Sequence, residues 1–141
     1  MGVKYEWADK SQIIMNIYIE HPWTWKEYNI TIAEVMPMLR DLAYPCATVV
    51  DTTQMKAIPK DGSIMQVLLN VEKSMPDNLF ASVVVGRAFS IQVFMNILMK
   101  LRPRVQRMAL FTDTMEEAYV KIQERYETSF PDASRKIEMS G

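Results

Sequence analysis

This sequence is short of cysteine, histidine and glycine, with one, one and four respectively, and each scarcity removes a class of chemistry. The lone Cys46 rules out an internal disulfide, and with only His21 beside it there is no Cys/His set to hold zinc. The few glycines form neither a G-x-G-x-x-G nor a Walker pattern, which excludes nucleotide binding through a glycine-rich phosphate loop. Charge of one sign is missing too: 16 basic against 17 acidic residues leave no long-range field for nucleic acid or an anionic membrane. No apolar run is long enough for a transmembrane helix, and the N-terminal "MGVKYEWADKS" lacks the basic-then-apolar pattern of a secretory signal. The expectation is a soluble, cytoplasmic protein without a nucleic-acid partner, a metal or a cofactor.

What is abundant is apolar. A hydrophobic share of 49% over 141 residues is enough to bury one core of ordinary size, so a single domain is expected. Twelve methionines suit either an irregular core or an adaptable binding surface.

Periodicity supplies the element order. "IIMNIYIE" alternates, setting Ile13, Met15, Ile17 and Ile19 on one face of a strand, and residues 3 to 7 ahead of it fit an antiparallel hairpin partner. Thr24 and Glu27 stand at capping-box spacing before a helix whose stripe is Tyr28, Ile32, Val35, Leu39 and Leu42. Pro37 inside that helix predicts a kink or a break, because proline lacks an amide and crowds the preceding turn. "CATVVD" reads as a short buried strand, and Ile64, Val67, Leu68, Val71 and Met75 mark the next helix. "LFASVVVG" is a second apolar strand, followed by a Ser90-capped helix "IQVFMNILMKL" with Phe94, Ile97, Leu98 and Leu101 on its stripe. "RMALFTD" is the last strand, and Thr114 with Glu117 opens a final helix over "MEEAYVKIQERYE". The fold class expected is therefore α/β, a mostly parallel sheet of about five strands with an antiparallel N-terminal edge hairpin and four main helices. The domain is expected over 1–127, with a mobile C-terminal tail over 128–141, which is polar and contains Pro131.

In such a sheet the strand C-terminal ends and helix N-termini share one side, where polar groups and free amides collect. The loops there are "EHPWTW", "DTTQMKAIPKDGS", "GRAFS" and "TDT", and the second is the longest internal loop. Hairpin, long helix and then "ATVVDTTQMKAIPKDGSIMQVLL" resemble the STAS domain, the fold of bacterial anti-sigma-factor antagonists, over roughly residues 3 to 126. "GRAFS" and "FTDTMEEAYVKI" look like its divergent SpoIIAA-like branch. The resemblance implies a non-enzymatic regulatory module that binds a protein partner and is switched by phosphorylation of a serine at a helix start. Asp51 matches the strand-ending Asp of that family, Asp61 the acidic residue of its Asp-Ser-Ser-Gly motif, and Ser63 lies near the phosphoacceptor. Here the motif reads Asp61-Gly62-Ser63-Ile64. The partner surface would comprise Asp51, Thr52, Thr53, Asp61, Gly62 and Ser63, with Arg87 beside it.

Each candidate also has a purely structural reading. Ser63 is a preferred helix cap, a role that contributes about 1 kcal/mol. Trp23 and Trp25 are either exposed anchors for a partner or apolar ligand, or rings packed on the sheet edge. His21 is a general base or a surface histidine, and no Ser or Cys stands at triad spacing from it. Arg87 meets an anion at a helix start, or pairs with Asp51 or Asp113. Lys100, Arg102, Arg104 and Arg107 form a basic cluster at the opposite end, a solvated face or an RNA site. Glu116 and Glu117 are adjacent on a helix and diverge, which makes them poor acid/base partners. An enzyme would require a cleft joining His21, Asp51 and Arg87. The alternative of a different class is a carrier of a small apolar or lipid-like ligand, held between the sheet and a mobile helix. A buried apolar pocket near the tryptophans would favour the carrier, and a flat exposed surface around Ser63 the switch. A homodimer through shared apolar faces is a further expectation.

Overall fold

A computed structural model describes residues 2–87 and 91–138; at 91 and 94 the description is of the backbone alone. The chain runs β1 (Val3–Trp7), β2 (Ile14–Glu20), α1 (Trp25–Arg40), β3 (Cys46–Gln54), α2 (Ile64–Ser74), β4 (Leu79–Val85), α3 (Ile91–Leu98), α4 (Pro103–Met108), β5 (Ala109–Thr112) and α5 (Met115–Ser129). The strands lie in the order β1-β2-β3-β4-β5. β1 pairs antiparallel with β2, Val3 opposite Ile19, and the other pairs are parallel. This is the α/β sheet with an antiparallel edge that the periodicity predicts.

Side-chain alternation divides the core. Met15, Ile17, Ile19 and Val50 pack with Tyr28, Ile32, Val35 and Leu39 of α1 and Val67 of α2. Ile14, Ala47, Val49, Ala81, Val83 and Val85 pack under Ala118, Ile122 and Tyr126 of α5 on the other face. Both faces of the central strands are therefore covered, as the continuous apolar runs require. Ile13 joins the α5 side rather than the face that alternation assigned to it. The preceding Gln12 has φ 55°, so the extended geometry on which alternation depends begins only at Ile14. Asn16 is buried on the α5 side: its Oδ1 accepts from the Tyr119 hydroxyl at 3.0 Å, and its Nδ2 donates to the Tyr18 hydroxyl at 3.1 Å.

Four expectations need correction. Of the kink or break expected at Pro37, the break does not occur: α1 is one helix through that position. Pro37 and Ala33 are both exposed, so the carbonyl four residues back that loses its amide partner faces water. β3 is longer than "CATVVD", continuing to Gln54. Between β4 and β5 there are two helices rather than one, giving five among the described residues. α3 stops at Leu98, and Arg102, held extended before Pro103, starts α4 with proline at its first position. Arg107 and Met108 therefore belong to α4 and not to the last strand. Ser90, expected to cap α3, lies outside the described residues, as does the Phe94 side chain.

The fourth correction concerns the C-terminus. α5 extends to Ser129, and the described part of the following segment packs against the body. Ile137 is 9% exposed within the α5-side core, and Arg135 donates from Nη1 to the Ser11 carbonyl at 2.7 Å while its guanidinium lies 3.9 Å over the Tyr44 ring. The Glu138 amide donates to Asp9 at 2.8 Å. These contacts use only a few side chains, which is why polarity alone reads as a tail. Ile137→Ala should lower unfolding stability by about 2 kcal/mol, the low end for a large-to-small core change. Chemical denaturation checks this, and no change in the midpoint would mean that the segment contributes nothing to the fold.

Candidate functional site

Two loops at the strand C-terminal ends are tied to each other by hydrogen bonds that use side chains on both sides. The Trp23 indole Nε1 donates to the carbonyls of Met55 and Ala57 at 3.2 and 3.0 Å, and the Trp25 Nε1 donates to the Pro59 carbonyl at 3.1 Å. In return Asp61 accepts from the backbone amides of Trp25 and Lys26 at 3.0 and 3.2 Å. These are amides of the first turn of α1, which have no partner within the helix and sit at the positive end of its dipole. Thr24 caps the same helix by accepting from the Glu27 amide at 3.1 Å. Glu27 does not complete the expected box; its Oε2 accepts from the Gly2 amide at 2.9 Å and fastens the N-terminus instead. The ring of Trp25 leaves Gly62 little room: a Cβ there would stand 3.3 Å from Trp25 Cδ1.

These bonds decide several of the alternatives. Trp23 and Trp25 are 5% and 4% exposed, stacked edge to face with ring centroids 4.8 Å apart, so they are packed rings and not surface anchors. Ser63 caps α2, accepting from the Gln66 amide at 3.2 Å, and its side chain remains exposed at the rim of an open hollow between α1 and α2. Asp51 accepts from the amide and hydroxyl of Thr53 at 2.9 and 2.7 Å. Thr52 donates to the Val85 carbonyl at 2.7 Å. Gly86 has φ +117°, and a Cβ there would come within 2.6 Å of Thr52 Oγ1, so the tight exit from β4 requires glycine on both counts. Arg87 makes a two-pronged pair with Asp113, at 3.0 and 2.8 Å, in the open. His21 is exposed and donates its backbone amide to the Gln54 carbonyl at 2.9 Å. No hydrogen bond or ion pair among the described residues joins His21, Asp51 and Arg87.

Beneath this end, between the sheet and α2, lies a cavity of about 110 Å³. Its floor is Ile19, Val50, Thr52 and Val84; Trp23, Trp25 and Tyr28 form one wall, α2 supplies the roof through Ile64, Val67, Leu68 and Val71, and Val105 and Met108 of α4 close the far end. Most polar groups of the lining are already engaged. The Thr52 hydroxyl is bonded to Val85, Ser82 accepts from Thr48 at 2.8 Å, and both indole N–H groups are taken by loop carbonyls. Burial pushes the Tyr28 phenol up to about 12, so it stays neutral. Burial likewise pushes the Cys46 thiol up to about 12, far from the range of a reactive nucleophile. The lining thus presents a largely apolar surface, with the Tyr28 phenol and the Ser82 O–H as its polar groups not tied down, among the described residues, by a hydrogen bond of their own.

The roof is thinly packed. α2 has a strongly one-sided apolar face, yet Val67 is its one fully buried residue. Ile64 and Val71 remain half-buried over the cavity.

The basic cluster is more engaged than a solvated face. Arg102 pairs with Glu72, and Arg104 donates from Nη2 to the carbonyls of Pro76 and Leu79 at 2.7 and 3.4 Å. Among the described residues no group of three or more His, Cys, Asp or Glu side chains is placed to hold a metal ion, and no helix is long and apolar enough to cross a membrane. No protein-family model matches the chain, and no curated protein was found to match it. An apolar pocket beside the tryptophans was the condition set for the carrier alternative; its extent was not legible, because its walls come from five separate segments.

Asp61 ties the two loops together, and the amides of Trp25 and Lys26 hold its carboxyl below the ordinary carboxylate range. The stabilisation from a depressed pKa is fully present above the unfolded value, near 3.9, and is lost as pH falls through the lower folded value. Asp61→Ala should therefore lower the melting temperature at neutral pH, and the gap to the native chain should close on acidification. A gap that is the same at acid and neutral pH would show that the carboxylate charge plays no part.

Proposed function

We propose that this chain is a STAS-like α/β binding module that carries a small apolar ligand in the cavity under α2. The supporting observation is the lining itself, a predominantly apolar enclosure beside Trp23 and Trp25 in which both indole N–H groups and the Thr52 hydroxyl are already bonded within the protein. A polar ligand entering there would lose most of its hydrogen bonds to water without replacement, whereas an apolar one loses none. Size sets a second condition. A cavity of about 150 Å³ with a similar lining takes up benzene, so a ligand longer than a ring needs α2 to move outward. The half-buried packing of α2 makes it the element able to do so.

A second reading keeps the exposed Ser63 as a phosphoacceptor for a partner switch. A phosphate there would lie against the free amides of α2, which favour it, and two residues from Asp61, which does not. It would bring negative charge to the carboxylate that fastens the loop, and so couple modification to the surface offered to a protein partner or a second copy of the chain. Intact-mass measurement on protein from its own cells distinguishes the readings: added phosphate supports the switch, and a bound apolar molecule supports the carrier.

Trp23 and Trp25 are reporters built into the wall. Titration with octanol should change tryptophan emission saturably and raise the melting temperature, by an amount equivalent to about 2.7 kcal/mol at a hundred times the dissociation constant. Val71→Phe, which fills the cavity from the roof, should weaken binding by about tenfold or more. An unchanged emission and melting temperature would contradict the carrier reading.

A further inference from the structure

α4 faces two sites at once. Arg104 and Arg107 stand three residues apart on one side of the helix, and Val105 and Met108 three apart on the adjacent side. Val105 and Met108 line the apolar cavity. Arg104 and Arg107 line a separate open hollow, about 480 Å³, completed by Arg125 of α5 over a floor of Leu79 and Phe80. Met108 belongs to both linings, so it forms a common wall between them.

The hollow is built for negative charge. Arg104 is anchored through Nη2 to the carbonyls of Pro76 and Leu79, and Arg125 through Nη1 to the carbonyl of Arg107 at 2.9 Å. Those bonds fix two guanidiniums in place while using one nitrogen of each, and each group retains further donors. Among the described residues, none of the three arginines forms an ion pair, and no carboxylate lines the hollow. Three like charges gathered over an apolar floor repel one another, and an oxyanion between them relieves that repulsion and accepts forked hydrogen bonds. With a net charge of only -1 and a hollow of this size, the geometry suits one anionic group rather than a polymer.

We propose that the hollow formed by Arg104, Arg107 and Arg125 binds the anionic head of an amphiphile, a carboxylate or phosphate, whose apolar chain occupies the cavity across Met108. This assignment rests on the carrier reading of the cavity. Met108 has a flexible, unbranched side chain and can turn aside without displacing the backbone. Carriage of such a ligand needs no reaction: the head is held by charge, the chain by exclusion from water.

The test compares octanoate with octanol, equal in chain length and different in charge, using tryptophan emission and isothermal titration. The native chain should bind octanoate about tenfold more tightly than octanol. Arg107→Gln should remove that advantage and leave octanol binding unchanged, and Arg107→Lys should keep most of it. Arg107 is an exposed residue, and an unaltered circular dichroism spectrum and melting temperature establish that the variants are folded. Raising the salt concentration should weaken octanoate binding and not octanol binding. Equal affinity for the two ligands, or an octanoate preference untouched by Arg107→Gln, would overturn the anionic head site and leave the apolar cavity standing. Failure of both ligands to bind would overturn the cavity reading and this one with it.

Discussion

The hydrogen bonds between Asp61 and the first amides of α1 are the constraint on which the arrangement of this end depends. A loop of this length would otherwise be free to move over the sheet edge. Its carboxylate meets a helix start, where amides are unpartnered and the dipole is positive, and the two indoles return the contact by donating to loop carbonyls. Each half depends on the other. The indoles reach the loop only because Thr24 and Asp61 fix where α1 begins, and the loop stays in place only because the indoles hold it.

A consequence of this clasp is that α2 does not have to hold the loop down. Its N-terminus is set by Ser63 and its roof position by Val67, while Ile64, Leu68 and Val71, partly buried against the neighbouring clusters, also border the open space. A void of that kind forgoes dispersion contacts, and a thinly packed helix above it is the least expensive element to displace. The rigid wall and the loose roof thus occur on opposite sides of one cavity. A carrier needs that division, because a ligand must be held in a fixed place and yet be able to enter.

Much of the fold could be read from the chain. β2, β4 and α5 follow from period and capping, and the parallel order follows from short apolar strands alternating with helices. The failures have physical causes. Pro37 did not break α1, because the carbonyl it strands is on the wet side of the helix. α4 was hidden because six residues give no measurable period, and its Arg107 and Met108 adjoin a real strand. Asp61 and Ser63 were both singled out, but as parts of one motif; in the structure they serve different helices, Asp61 holding α1 from 36 residues away in the chain. An apolar pocket beside the tryptophans entered only as a condition of the carrier alternative, and its shape could not be read. An enclosure is a property of how five segments stop short of one another, and no local pattern encodes it.

The central claim, that the space under α2 admits an apolar ligand, is tested most directly by methionine methyl resonances. Met55, Met75 and Met108 line the cavity, whereas Met38 and Met99 are on the surface at 37% and 69% exposure. In a spectrum of methyl-labelled protein titrated with octanol, the account predicts saturable shifts at the three lining methyl groups and none at the two exposed ones. Shifts confined to Met38 and Met99, or no shift at any of the five, would contradict it.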